Sequence, residues 1–245
     1  MDTIQKGDKV FTDPKSGNED FRFGEKVVKV FDDMVERSVP FYTEIQRMIA
    51  EMAKDFAAPN TTVYDLGCST GNTLLGLDPG LDPSVSFVGI DSSKEMVEKC
   101  NLKFREAGMK RSFEIRHGDL NNGVRIENAS VVIMCLTLQF IRPLYREKII
   151  KEIQEQMSEN SCFILVEKVV GEDSLLNRIF IKYYYDMKRR HNYSEMEIAQ
   201  KRESLENVLI PYRLSENLEM LSKAGFRYNE VFFKWYNFAG IISVK

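Results

Sequence analysis

The sequence predicts an α/β protein built on a doubly wound, mostly parallel sheet. Three observations carry that expectation. Strand-like apolar runs alternate with helical runs from about residue 61 to residue 170. The first strand runs directly into a glycine turn, "VYDLGCSTGNTLL" at 63–75. The chain closes on two strand-like pieces, "RYNEVFFKWY" and "AGIISVK", close enough to pair antiparallel. Short strands separated by amphipathic helices are the mark of βαβ units, and a terminal hairpin adds an antiparallel edge.

The elements follow in order. Residues 1–20 are polar and contain Pro and Gly, so they read as a flexible arm ahead of a single domain at 21–245. "VVKVFDDMV" at 27–35 has helical spacing. Pro40 interrupts it, and from Tyr42 the residues Ile45, Met48, Ile49, Met52 and Phe56 share one face of an amphipathic helix. "TTVYDLG" at 61–67 is strand one, "VSFVGID" at 85–91 strand two, and "RSFEIRHGD" at 111–119 strand three. "SKEMVEKCNLKFREAG" at 93–108 is helical and stops at Gly108. "ASVVIMCLTLQFI" contains strand four, 145–157 a helix, and "SCFILVEKVV" at 161–170 strand five. The rhythm then breaks. Residues 171–215 read as helices inserted after strand five, and "SENLEMLSKAGF" resumes as a helix closed by Gly225.

Composition excludes several classes. The chain has 245 residues, 43% of them hydrophobic and 29% charged, enough to bury a real core. A net charge of −3 supplies no general positive field, which argues against direct nucleic-acid binding. "KYYYDMKRRHNY" at 182–193 mixes basic and aromatic residues as RNA-binding surfaces do, but it reads equally well as an amphipathic helix with its charges in water. Four cysteines without a C-x-x-C pair, and two histidines far apart, give no zinc pattern. They suit reduced thiols in a cytoplasmic protein. The start has no secretory pattern, and no apolar run is long enough to span a bilayer.

Chemistry concentrates at the strand ends. Asp65 closes strand one, and Gly67, Cys68, Ser69 and Gly71 form the turn after it. The motif is D-x-G-x-x-x-G, with Ser69 where a dinucleotide fingerprint has its middle glycine, so pyrophosphate on the helix N-terminus is disfavoured. Asp91 closes strand two, with Ser92 beside it. A carboxylate there can accept from both ribose hydroxyls, or the region can cap the next helix. Asp119, followed by Leu120, closes strand three, as an adenine contact or as a turn aspartate. Three acids around one glycine turn suit a nucleoside without phosphates and with a cationic group.

"VYDLGCSTG", "VGIDSS" and "HGDL" resemble the S-adenosylmethionine-binding motifs of class I methyltransferases. That resemblance implies a Rossmann-like, seven-stranded sheet with an antiparallel last strand. "ERSVPFY" at 36–42, "ENAS" at 127–130, "TLQF" at 137–140 and "YSEMEIAQKRESLENV" at 193–208 further resemble the carboxy-S-adenosylmethionine synthases of tRNA wobble-uridine modification, over roughly residues 21–245. The resemblance implies that S-adenosylmethionine and prephenate give carboxy-S-adenosylmethionine and phenylpyruvate, in a homodimer. It implies that Tyr42 touches the ligand, that Gly67, Cys68 and Ser69 lie along its methionine part, that Asp91 and Ser92 hold the ribose, and that Asp119 and Leu120 frame the adenine. Arg202 is then the arginine that grips the new carboxylate, a task suited to its planar fork. Arg202 could instead pair with Glu206 on a solvated helix face. Arg37 is a further candidate for an anionic substrate. Cys135 stands where the family has an asparagine facing the ligand, and tyrosines at 183–185 where it shows histidines. The alternative on the same scaffold is a methyltransferase acting on a small anionic acceptor.

Overall fold

The computed structural model describes residues 24–245, so the expected arm at 1–20 lies outside the described residues. Two short helices open the chain, α1 (Glu25–Val28) and α2 (Phe31–Ser38), followed by α3 (Tyr42–Phe56). The expected single helix at 27–35 is broken at Lys29 and Val30, where Val30 leaves helical geometry at φ −122° and ψ 7°. No proline or glycine marks the break, and the apolar residues Val27, Phe31, Met34 and Val35 are buried on both sides of it.

The sheet then builds as expected. It comprises β1 (Thr62–Leu66), β2 (Ser86–Asp91), β3 (Phe113–His117), β4 (Ala129–Cys135) and β5 (Met157–Val170). Between them run α4 (Asn72–Leu77), α5 (Lys94–Glu106) and α6 (Pro143–Gln156). The insertion folds as α7 (Ser174–Arg190) and α8 (Glu195–Leu205), and a two-residue β6 (Tyr212–Arg213) leads into α9 (Leu214–Ala224). Last come β7 (Tyr228–Trp235) and β8 (Phe238–Val244). Strand order is β3-β2-β1-β4-β5-β8-β7, with β6 pairing β5 alone. β1 to β5 are mutually parallel, while β8 is antiparallel to both β5 and β7.

β5 begins at Met157, ahead of the expected residue 161. A register shift between Ala129 and Val131 lets Met157 pair Ala129 while Cys162 pairs Val131. The polar "SEN" between them looks like a turn in sequence, and Asn160 does take a left-handed φ of 57°. Alternation along β1 divides the core. Val63 faces the layer that holds Ile45, Ile49, Val131 and Ile133, whereas Tyr64 and Leu66 face the layer of Ile149, Ile150 and Ile153. Parallel strands buried on both faces read as continuous apolar runs, which is why these strands were visible. Among the described residues no helix is long and apolar enough to cross a membrane.

Candidate active site

A cavity of about 620 Å³ opens at the carboxyl ends of the strands, where ligands of doubly wound sheets sit. Its floor is the glycine turn. Gly67 and Gly71 have φ of 87° and 83°, and Ser69, the non-glycine between them, is also left-handed at 47°. The turn is fastened to β2: the amides of Gly67 and Cys68 donate to the Ile90 carbonyl at 2.7 and 3.1 Å, and the Ser69 amide donates to Asp91 Oδ2 at 2.9 Å. Gly71 admits no larger residue. A methyl group there would lie 2.5 Å from Phe104 Cε1 and 2.6 Å from Cys100 Sγ, both fully buried. Gly71→Ala is therefore expected to lower unfolding free energy by roughly 2–3 kcal/mol, from backbone strain plus overpacking. A urea midpoint unchanged from the parent would refute this.

The N-terminal helices hold the turn from the other side. Asp32 of α2 accepts from Thr70 Oγ1 at 2.6 Å, Asn72 Nδ2 at 2.9 Å and Lys103 Nζ at 2.7 Å. Burial works against its charge, but Lys103 and the two neutral donors hold its pKa below the usual value.

Ten of the expected residues line the one cavity: Tyr42, Gly67, Cys68, Ser69, Asp91, Ser92, Asp119, Leu120, Cys135 and Arg202. Asp91 is 9% exposed, and burial raises its pKa against the pull of the amides it accepts from. The helix cap is Ser93 rather than Asp91: its side chain accepts from the Met96 amide, while Asp91 Oδ1 accepts from the Ser93 amide. Asp119 Oδ1 does cap a short 3-10 helix, accepting from the Asn121 amide at 2.9 Å. Arg202 does not pair with Glu206 at i,i+4. The carboxylate at its guanidinium is Glu203, at 3.9 Å, and its side chain is 64% exposed.

Asp65, Gly71 and Arg37 stand outside the lining. Asp65 lies behind it, 1% exposed, with neither carboxylate oxygen hydrogen-bonded. Burial, reinforced by the charge of Asp91, pushes its pKa up to about 7. Arg37 is spent on structure. It donates to the His191 carbonyl at 3.0 and 3.1 Å and to the Asn192 carbonyl at 3.3 Å, pairs with Asp33, and stacks on the Tyr193 ring at 4.3 Å. Its role is to join α2 to the α7–α8 turn.

Three cavity lysines did not stand out in the sequence. Lys168, at the end of β5, lines the cavity and lies 5.0 Å from the Tyr184 ring centroid. Burial brings its pKa down to about 8. Lys188 of α7 lies over the same ring at 4.8 Å. Lys201 of α8 donates to Ser38 Oγ at 3.3 Å and lies 5.5 Å from the Tyr193 ring centroid. The available signal was a charged pair, Glu167-Lys168, inside an apolar run. Glu167 secures the loop after β4: its oxygens accept from the Leu138 and Gln139 amides, each at 2.9 Å. Burial pushes its pKa up to about 8, opposed by Arg146.

Most of the basic residues reach the cavity from one side. Asp91 and Asp119 line it from the ends of β2 and β3, while Lys168, Lys188, Lys201 and Arg202 line it from β5 and the helices that follow, with Glu206 as the acid among them. A volume of this size is in the ordinary range of small-molecule sites.

A family model described as a methyltransferase domain matches residues 63–160. The solved structure of a SAM dependent methyltransferase from Aquifex aeolicus superposes with a TM-score of 0.61 at 16% identity, covering 91% of this chain and 98% of that one. Fold and strand-end cavity together define a class I methyltransferase fold. The chain is also 58% identical over 239 residues to carboxy-S-adenosyl-L-methionine synthase of Methylococcus capsulatus, covering 97% of this chain and 99% of the relative. It is 43% identical over 241 residues to the protein of the same name from Desulfotalea psychrophila, covering 98% of each. The chain belongs to the carboxy-S-adenosyl-L-methionine synthase family.

Proposed function

We propose that this enzyme is a carboxy-S-adenosyl-L-methionine synthase that converts S-adenosylmethionine and prephenate to carboxy-S-adenosylmethionine, phenylpyruvate and water. The observation that carries the reading is a cluster of four basic side chains, only one acid (Glu206) among them, in the cavity that Asp91 and Asp119 also line. A cationic sulfonium suits the acid side, and a dianionic partner suits the side of Lys168, Lys188, Lys201 and Arg202. The residues present fit the adenosyl ligand. Asp91, which accepts from the amides of Ser69, Ser92 and Ser93, keeps a lone pair for a ribose hydroxyl. Tyr42, Cys68 and Ser69 border the methionine part, and Leu120 offers an apolar wall to the base beside Asp119.

In the proposed chemistry the departing carboxylate of prephenate becomes bonded to the carbon of the sulfonium methyl. The proton lost from that carbon leaves with the expelled hydroxyl as water. The protein's part is alignment and exclusion of solvent. Lys168 and Lys188 hold the anion above the tyrosine rings, and Arg202 grips the carboxylate of the product.

Mass spectrometry tests the reading. Incubated with S-adenosylmethionine and prephenate, the protein is expected to yield adenosylmethionine plus carbon dioxide in mass. Unchanged adenosylmethionine, or adenosylhomocysteine with a methylated acceptor, would overturn it. Arg202→Ala is expected to lower carboxylated product by about tenfold or more, the worth of one charge-assisted pair. Normal accumulation would remove Arg202 from the site.

The same reading makes the protein a cytoplasmic homodimer serving tRNA carboxymethylation. Supporting the dimer, α7 presents Leu175, Leu176 and Tyr183 at 56%, 48% and 41% exposure. A monomer mass by light scattering would count against it.

A further inference from the structure

Three buried side-chain oxygens near the glycine turn receive no hydrogen bond: Asp65 Oδ1, Asp65 Oδ2 and Gln46 Oε1. They meet at Cys135. Gln46 Nε2 lies 3.7 Å from Cys135 Sγ, and the Asp65 carboxylate bears electrostatically on both the Cys135 thiol and the Tyr42 hydroxyl. The fold explains the convergence. Val63 and Asp65 point from β1 toward the face covered by α3, and Cys135 packs on that same face at the end of β4. Tyr42 and Gln46 are one turn apart on α3, so their side chains are neighbours. Tyr42 and Cys135 line the cavity, with Gln46 immediately behind them.

Buried acceptors without donors are rare and ask for a partner. Three acceptors, one pair of them a carboxylate, match an ammonium group with its three donors and its charge. The sequence resemblance implies an asparagine amide at position 135. A thiol cannot replace it, being a weak donor and acceptor. The longer side chain of Gln46 brings an amide to the same place from the facing helix.

We propose that Gln46 is a ligand-binding residue of this chain. Its amide takes over the role of the missing asparagine, and its Oε1 accepts, beside Asp65, from the ammonium at the methionine end of the adenosyl ligand. This rests on S-adenosylmethionine being the ligand, but not on what is done with it.

Calorimetric titration with two probes tests the proposal. S-adenosylhomocysteine carries the ammonium, and 5′-methylthioadenosine lacks the whole amino-acid end. Gln46→Leu is expected to weaken S-adenosylhomocysteine by about tenfold or more, as loss of a hydrogen bond to a charged group does. It is expected to leave 5′-methylthioadenosine within about twofold. Adding Cys135→Asn to Gln46→Leu restores most of the lost affinity. Thermal unfolding shows whether Gln46→Leu folds. If it does not, Gln46→Ala with and without Cys135→Asn gives the same comparison. Equal weakening of both probes, no weakening of either, or no rescue by Cys135→Asn each overturns the proposal. Neither probe needs prephenate or turnover, so failure of the carboxylation reading would leave this result standing.

Discussion

Asp65→Asn is expected to make the ligand-free protein more stable at pH 8 and, if the ligand ammonium sits beside Asp65 as proposed above, to weaken S-adenosylhomocysteine by about a hundredfold. The two effects have one cause. Asp65 is 1% exposed with both oxygens unpartnered, and burial lifts its pKa to about 7 from an ordinary value of 3.8. The folded state therefore keeps a proton that the unfolded state releases. Stability falls as pH rises from the unfolded value, about 4, to the folded value, about 7, and stays reduced above it. A shift of this size corresponds to about 4 kcal/mol at the alkaline end, less the cost of burying the new amide. Parent and variant should have similar stabilities near pH 4 and differ by about 2–4 kcal/mol at pH 8. Urea unfolding across that range measures the difference. Parallel curves would show that Asp65 is satisfied in the free protein.

Arg146→Ala is expected to cost about 3–5 kcal/mol, the range for removing a buried, fully engaged charge. Arg146 of α6 is 1% exposed. Its guanidinium donates to the carbonyls of Ile141, Gln139 and Ile210 at 2.8, 3.1 and 2.7 Å and stacks on the Tyr212 ring. One side chain thus ties the loop after β4 to the segment after α8, and both border the cavity. Alanine leaves a void and strips those carbonyls of a donor. Arg146→Lys keeps the charge but not the planar fork, so an intermediate loss is expected. A loss below about 1 kcal/mol for the alanine variant in urea unfolding would show the loop to be held by other means.

The strands and the three acids were legible because each is a local signal. Apolar runs of strand length end in Asp65, Asp91 and Asp119, and the glycine turn follows the first. The lysines were not legible, since Lys168, Lys188 and Lys201 lie on three elements that only the folded chain brings together. Arg37 shows the converse. In sequence it is an arginine beside a distinctive "SVP", and only its tertiary partners reveal a structural tie. Gln46 sits on a helix whose apolar face was correctly read, but nothing local links it to Cys135.

The cluster of Lys168, Lys188, Lys201 and Arg202 gives one side of the cavity an excess of positive charge over Glu206. Asp91 and Asp119 face it from the ends of β2 and β3. Two molecules of opposite charge entering together are oriented by the resulting field before they touch any specific residue. Because Lys188, Lys201 and Asp91 are buried, added salt screens the field weakly, and the alignment persists at ionic strengths that erase surface steering.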